Sequence, residues 1–443
     1  MKLDSSIVII GGGFAGMTLA RELQRRMPAG CGFTLISEES YTTFNPMLPE
    51  AVSASIFPEH AVAPIRAIVR PGTNSRFIMG TVTRADLQRQ TISCQTLAGE
   101  RSMAYDHLVF AFGSRARLDL LPGMAEHALP LKTVGDAMHI RNMVLRRAAR
   151  IELESDSTLR SALGHFVVIG GGFSGVEVAG ALADCLASIG RYYPGVARGE
   201  LRVSLLQDLD RLLPDLPPRL GQAALDSLRS RAVHVELGVK ATRVSGDGVV
   251  LGDGRAMKSA TVICTIGTRP NDLVAALPLR TERGRVAVAP DLSVPEHEGL
   301  WALGDCALVP NEHDHKFAPP TAQFAVSEAK CLARNLLARL QARPTQKFSY
   351  RSRGMMASIG HLKGVAEVFG LPLSGLAAWL VWRAYYLSQM PTLGRKLRIF
   401  VEWTWGMFFP TDITHLRFSR SGEQEATAKS VRSDNPGRAH PAV

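Results

Sequence analysis

What this 443-residue chain has little of narrows its chemistry. Its six cysteines, Cys31, Cys94, Cys185, Cys264, Cys306 and Cys331, form no C-x-x-C or C-x-x-x-x-C pair. Dithiol centres and zinc sites need such close pairs. Neither is expected, no metal site is predicted, and the thiols read as scattered core or surface residues. No compact run of lysine and arginine occurs, although the formal net charge is +11. A nucleic-acid partner is therefore not expected, and the basic excess points to anionic cofactors or an anionic membrane. The uncharged stretch Val368 to Trp382 is short for a membrane span, which needs about 20 apolar residues. Met1 to Ser6 is too short and too polar for a leader, so the first domain is expected to fold in the cytoplasm with its thiols reduced.

What is present is a repeat. Ile7-Val8-Ile9-Ile10 runs into Gly11-Gly12-Gly13-Phe14-Ala15-Gly16, and Phe166-Val167-Val168-Ile169 runs into Gly170-Gly171-Gly172-Phe173-Ser174-Gly175. Each is an apolar strand, G-x-G-x-x-G and a helix-like stretch. That order lets backbone N–H groups and a helix N-terminus hold a pyrophosphate. One such motif is weak evidence; two suggest two dinucleotides on one protein. A flavin and a nicotinamide are the natural pair, because one passes hydride to the other.

The repeat extends further. In the first unit a helix is expected over about Ala15 to Met27 and a strand over Phe33 to Ile36, ending near Glu38. Glu38 stands where an acid hydrogen-bonds a ribose hydroxyl, or is a solvated turn acid beside Glu39. Thr81 to Ser102 alternates as antiparallel strands do. Leu108 to Phe112 is a buried run closed by Gly113, and Thr261 to Ile266 is its counterpart closed by Gly267. Ser114 to Pro130 reads as a loop, Met138 to Leu153 as a helix and Glu154 to Leu163 as a polar linker. Strand Leu201 to Leu206 ends at Gln207, and Val233 to Val249 is strand-like. Later come Leu303-Gly304-Asp305 and Pro319-Pro320-Thr321-Ala322-Gln323, the latter leading into a helix. The C-terminal part crowds Trp379, Trp382, Tyr385, Tyr386, Trp403, Trp405, Phe408 and Phe409 among Arg383, Arg395, Lys396 and Arg398. Aromatic and basic residues on apolar helices favour lying in a membrane interface; a core-packing helical cap is the alternative.

With these residues the chain resembles the two-dinucleotide-binding flavoproteins that include glutathione reductase. Within them it is similar to the type II NADH dehydrogenases, the single-subunit, non-pumping NADH:quinone oxidoreductases. The likeness covers roughly residues 5 to 415. It rests on Phe44-Asn45-Pro46-Met47-Leu48-Pro49-Glu50, Gly170 to Ala179, Leu303–Asp305, Pro319–Gln323 and the closing Phe409-Pro410-Thr411-Asp412-Ile413. The implied fold is α/β: two Rossmann-like dinucleotide-binding domains plus a C-terminal amphipathic, helical, membrane-associating region. The expected division is 1–160 and 286–345 for the FAD-binding domain, 161–285 for the NAD(P)H-binding domain, 346–420 for the membrane-associating region and 421–443 for a disordered tail.

The resemblance also implies roles. Gly11, Gly13, Phe14, Ala15 and Gly16 would hold FAD, with Glu38 on its ribose, Asp305 on its ribityl or phosphate part, and Phe44, Pro46, Gly113 and Ala322 about its rings. Gly170, Gly172, Gly175, Gln207 and Gly267 would take NAD(P)H. Glu177 and Gln323 would serve the quinone side catalytically. On the residues alone, Glu177 also reads as an acid complementing a helix N-terminus and Gln323 as a helix-start amide. The chain departs from the family at Ser327 and Glu328, where many members have a second glutamine. It departs again at Gln207, where an acid is usual; a neutral amide does not repel a 2′-phosphate, so NADPH stays open beside NADH. The expected partners are a membrane quinone, the cytoplasmic face of the inner membrane and a second copy in a homodimer. A sulfide:quinone oxidoreductase, a ferredoxin- or apoptosis-factor-like reductase and a non-turning-over redox sensor remain alternatives. A disulfide reductase is disfavoured because Tyr41 to Glu50 holds no cysteine.

Overall fold

The computed structural model describes residues 5–70, 74–409 and 412–416. The expected tail at 421–443, and Pro410 and Thr411 of the closing motif, lie outside the described residues.

Strand Ser5–Ile10 sits between parallel neighbours, with Ile7 opposite Phe33 on one side and His107 on the other. A strand covered on both faces needs apolar residues at every position, and Ile7, Val8 and Ile9 are all buried. The sheet runs Leu300–Ala302, His107–Phe110, Ser5–Ile10, Cys31–Ser37, Ser75–Asp86, Thr91–Thr96, Gly99–Ala104. Its last three strands are the antiparallel set expected from the alternation after Thr81. The second unit repeats the plan in five parallel strands: Ala128–Pro130, Thr261–Cys264, His165–Ile169, Arg202–Gln207 and His234–Leu237. Both units thus form an α/β pair, each glycine turn opening a helix, Phe14–Arg26 and Phe173–Ile189.

Three expectations change. Ser114 to Pro130 is not a plain loop: it holds the short helix Met124–His127 and the strand Ala128–Pro130, which becomes the edge of the second sheet. The polar linker is a helix over Ser157–Leu163, because the Asp156 carboxylate accepts from the N–H groups of Thr158 and Leu159. The C-terminal region is not helical throughout. It opens with an antiparallel sheet, Gly354–Gly360, Lys363–Val368 and Leu371–Ser374, before helices Gly375–Gln389 and Leu393–Trp405. The uncharged run is split between strand and helix; Pro372 is tolerated because its strand is the sheet edge.

The aromatic residues divide as well. Trp379, Trp382 and Trp403 are core residues rather than interfacial ones. Spacings of three and seven put Trp379, Trp382 and Tyr386 on one side of their helix, the side packed on the sheet and on Trp403. Helix Phe173–Ile189 lies so close to the C-terminal sheet that a Cβ on Gly180 would sit 1.9 Å from the Ile359 carbonyl oxygen. Arg231 locks this seam, donating to the Gly180 and Ile359 carbonyls and to Asp184. Among the described residues, the one stretch apolar and long enough to cross a membrane, Phe173–Tyr192, is this largely buried helix.

Candidate active site

Both glycine turns have the same backbone. Gly11 and Gly170 have φ of +116° and +112°, a region L side chains avoid. A Cβ on Gly16 would lie 1.9 Å from the Gly11 oxygen, and one on Gly175 would lie 1.7 Å from the Gly170 oxygen. Gly13 and Gly172 differ: a Cβ there meets nothing within 4 Å. These middle glycines face open space in front of a helix N-terminus, where a pyrophosphate needs room. Gly113 and Gly267 also correspond, with φ of +66° and +73°.

In front of the first turn lies a cleft of about 680 Å³, within the ~300–1,000 Å³ usual for cofactor sites. Gly11, Gly13, Phe14, Ala15, Pro46 and Ala322 line it. Glu38 and Gly113 are also on its wall, Glu38 paired to Arg115 at 2.5 Å. Asp305 enters from the turn after Leu300–Ala302; its Oδ2 accepts from Ser114 Oγ at 3.1 Å, and Lys132 Nζ donates to the same hydroxyl at 3.2 Å. Phe44, expected about the flavin rings, is buried behind the cleft wall, its ring 5.2 Å from Phe14, which lines the cleft, and 5.7 Å from Tyr386. The open middle glycine, the Asp305–Ser114–Lys132 chain and the cleft volume fit FAD.

Glu328 supports this site from beneath. It is buried, and its Oε2 accepts from Gly304 N at 2.7 Å, fixing the turn that presents Asp305. Burial raises its carboxyl to about 7, against the opposing pull of Arg285. The folded chain therefore keeps a proton that the unfolded chain has lost, and stability falls as pH rises from about 4.5 to about 7. Glu328→Gln is expected to be stabilised relative to the parent by roughly 1–3 kcal/mol more at pH about 8 than at pH about 5. Urea midpoints at the two pH values check this; a constant difference contradicts it. Ser327, the other departure, lies half-buried one residue earlier on the same helix.

The second turn opens on a smaller cleft of about 290 Å³, lined by Phe173, Glu177, Thr265, Gly267, Pro46 and Lys132. Gln207 does not face it. Its side chain is buried, Oε1 accepts from Gly171 N at 2.8 Å and Nε2 donates to the Arg211 carbonyl. The next residue, Asp208, is exposed at the strand end.

Glu177, 8% exposed, also lines a third space of about 640 Å³ that reaches the C-terminal helices. Pro46 borders all three spaces. Glu177 Oε1 accepts from Ser358 N at 3.0 Å. Burial, aided by the Glu50 charge, pushes its carboxyl up to about 8. Gln323 is fully engaged: it donates to Ser352 Oγ and the Gly354 carbonyl, and accepts from Tyr350 Oη and Arg353 N. It pins its helix to the start of the C-terminal sheet. Sequence reasoning gave no role in the site to Glu50 or Lys132, and read Tyr386 and Arg383 only as part of a membrane-facing set. Lys132 lies two residues past the second sheet's edge strand; the other three come together only through the C-terminal helices.

Two family models together cover most of the chain. The pyridine nucleotide-disulphide oxidoreductase family matches residues 5–329, and the NDH2 C-terminal domain matches residues 352–412. The type II NADH:quinone oxidoreductase Ndh of Mycobacterium tuberculosis is 30% identical over 411 residues, covering 90% of this chain and 87% of its own. The chain belongs to the type II NADH:quinone oxidoreductases. A Staphylococcus aureus type II NADH:quinone oxidoreductase is 25% identical over 380 residues, covering 84% of this type II chain and 92% of its own. In fold, NDH2 from Plasmodium falciparum, solved in complex with NADH, matches with a TM-score of 0.85 at 18% identity, over 93% of this chain and 99% of that one. The sulfide:quinone oxidoreductase of Aquifex aeolicus shares the fold less closely, with a TM-score of 0.69 at 18% identity over 94% of this chain and 100% of that one.

Proposed function

We propose that this type II oxidoreductase catalyses NADH + H⁺ + quinone → NAD⁺ + quinol through FAD held at the first glycine turn. Bound there, FAD supplies the hydride-accepting and electron-passing chemistry. The observation that carries the reading is the meeting of three spaces at Pro46, a flavin-sized cleft, a nicotinamide-side cleft and a cavity open toward the C-terminal helices, with Glu177 on the walls of the last two. The chain's own residues orient and insulate. Pro46 lines the junction, with Phe44 buried behind Phe14, and Glu177 holds a proton at its carboxyl, organised by Ser358 N. Residues 1–160 and 286–345 would serve FAD, and residues 161–285 NADH. At the adenosine end, exposed Asp208 favours NADH, because a carboxylate repels a 2′-phosphate. Steady-state rates with NADH and NADPH against ubiquinone and menaquinone analogues test this. Continuous oxidation with NADH preferred is expected; a stoichiometric complex without turnover contradicts it.

Membrane binding has its own support. Leu393, Leu397, Phe400 and Val401 are exposed on one helix at spacings of three to four, with Arg395, Lys396 and Arg398 between them. Such a face lies in the headgroup region, and access to NADH puts it on the cytoplasmic side. Replacing these four apolar residues with serine is expected to lower partition onto anionic vesicles about a hundredfold. Co-sedimentation measures this, and unchanged partition contradicts it. The buried Ile399 and Trp403 on the opposite face leave the fold anchored in this variant.

A further inference from the structure

The reaction consumes one proton from water per turnover, and Glu177, beside Pro46, is buried. The 640 Å³ cavity supplies a route. Among the carboxylates that line it are Glu177 from the second dinucleotide helix and Glu50 from the short helix Leu48–Val52. Glu50 is 9% exposed, and its Oε2 accepts from Trp403 Nε1 at 2.8 Å. Arg383, on the same wall, donates to the Trp403 carbonyl at 3.0 Å and lies 3.6 Å from the Trp379 ring centre. The cavity's other carboxylates have partners of their own, Asp184 with Arg231, Glu402 with His60, and Asp412 with Arg141, while Arg191 and Lys363 on its wall donate to the Ser188 and His361 carbonyls. Glu50 and Glu177 are therefore the cavity's carboxylates that no ion pair engages, with Arg383 on the wall beside them.

We propose that Glu50 is the outer relay of the quinone's proton, receiving it from water in this cavity and passing it to Glu177. This rests on the quinone-reductase reading. In the step the Glu50 O–H bond breaks, an O–H bond forms on the Glu177 carboxylate, and a cavity water proton refills Glu50. No electrons move. Burial raises both acids, Glu50 to about 7 and Glu177 to about 8, so both exchange protons near neutrality. Arg383 and the Trp403 indole favour the Glu50 anion, while Glu402 disfavours it. From the remaining elements packed on the short helix come Arg141, which lines the cavity, and His60, paired to Glu402 on its wall.

The test divides the quinone rate by the ferricyanide rate in the same preparation, at several pH values. Ferricyanide takes electrons without protons, so flavin content and folding cancel. For Glu50→Gln the ratio is expected to fall about tenfold or more. Glu50→Asp, which still carries a proton, is expected to recover most of it. Trp403→Phe removes a donor to the anion, so the alkaline limb of the ratio should move to higher pH. A Gln variant within about twofold of the parent at every pH overturns the relay, as does an Asp variant as impaired as Gln. Should Glu50→Gln not fold, the Trp403→Phe limb decides: a shift upward supports the relay and an unmoved limb overturns it. A parent that reduces ferricyanide but never quinone overturns the functional reading itself; a parent that reduces quinone while the variants fail these expectations overturns the relay alone.

Discussion

Gly13→Ala and Gly16→Ala are both expected to purify without yellow colour and without NADH oxidation, for different reasons. At Gly16 the new methyl would lie 1.9 Å from a backbone oxygen, so the strand-to-helix turn must open. Overlap with rigid backbone costs several kcal/mol, on the order of a severe core defect, and the thermal midpoint should drop with the flavin. At Gly13 the methyl meets no protein atom within 4 Å. It projects instead into the space a pyrophosphate would fill, so the protein should fold with a near-parental midpoint yet hold little flavin. Flavin-to-protein absorbance ratios and melting curves separate the two. A Gly13→Ala protein with one flavin per chain contradicts the assignment of the first turn.

Glu177→Gln is expected to lose about 10²-fold in quinone-dependent turnover while still bleaching its flavin with NADH. Glutamine keeps an acceptor for Ser358 N but carries no transferable proton. In the parent, burial holds the carboxyl protonated up to about pH 8. The quinone rate should therefore fall as pH rises through that value, because the neutral acid is lost, whereas the variant should be slow and flat. Turnover measured from pH about 6 to about 9 checks both limb and level. A variant with a parental pH limb would remove Glu177 from proton supply.

The positions of Gly13, Gly16 and Glu177 were legible because their constraints are local. A glycine that must adopt φ above zero or admit a neighbouring carbonyl leaves its mark at fixed spacing, and so does a glutamate on the first turns of the helix behind it. The antiparallel set after Thr81 was legible for the same reason, through its period of two. The C-terminal sheet was not. Gly354, Gly360 and Gly370 interrupt its pattern, and its edge strand shares an uncharged run with the helix that follows. Nor was the inward turn of Gln207, since nothing in the sequence says that its amide caps Gly171. Glu50 and Trp403 meet across 353 residues. Only the packing of the last two helices on the second dinucleotide helix and on Leu48–Val52 brings them together. Trp379, Trp382 and Trp403, read as interfacial, were misjudged because composition does not reveal which side of a helix the sheet covers.

The most direct measurement separates the two halves of the reaction without oxygen. One equivalent of NADH mixed with the flavin-loaded protein in detergent is predicted to bleach the flavin, and one equivalent of a short-chain quinone added next to restore it with formation of one quinol. A flavin that NADH does not bleach, or a reduced flavin that quinone leaves reduced, would contradict the account.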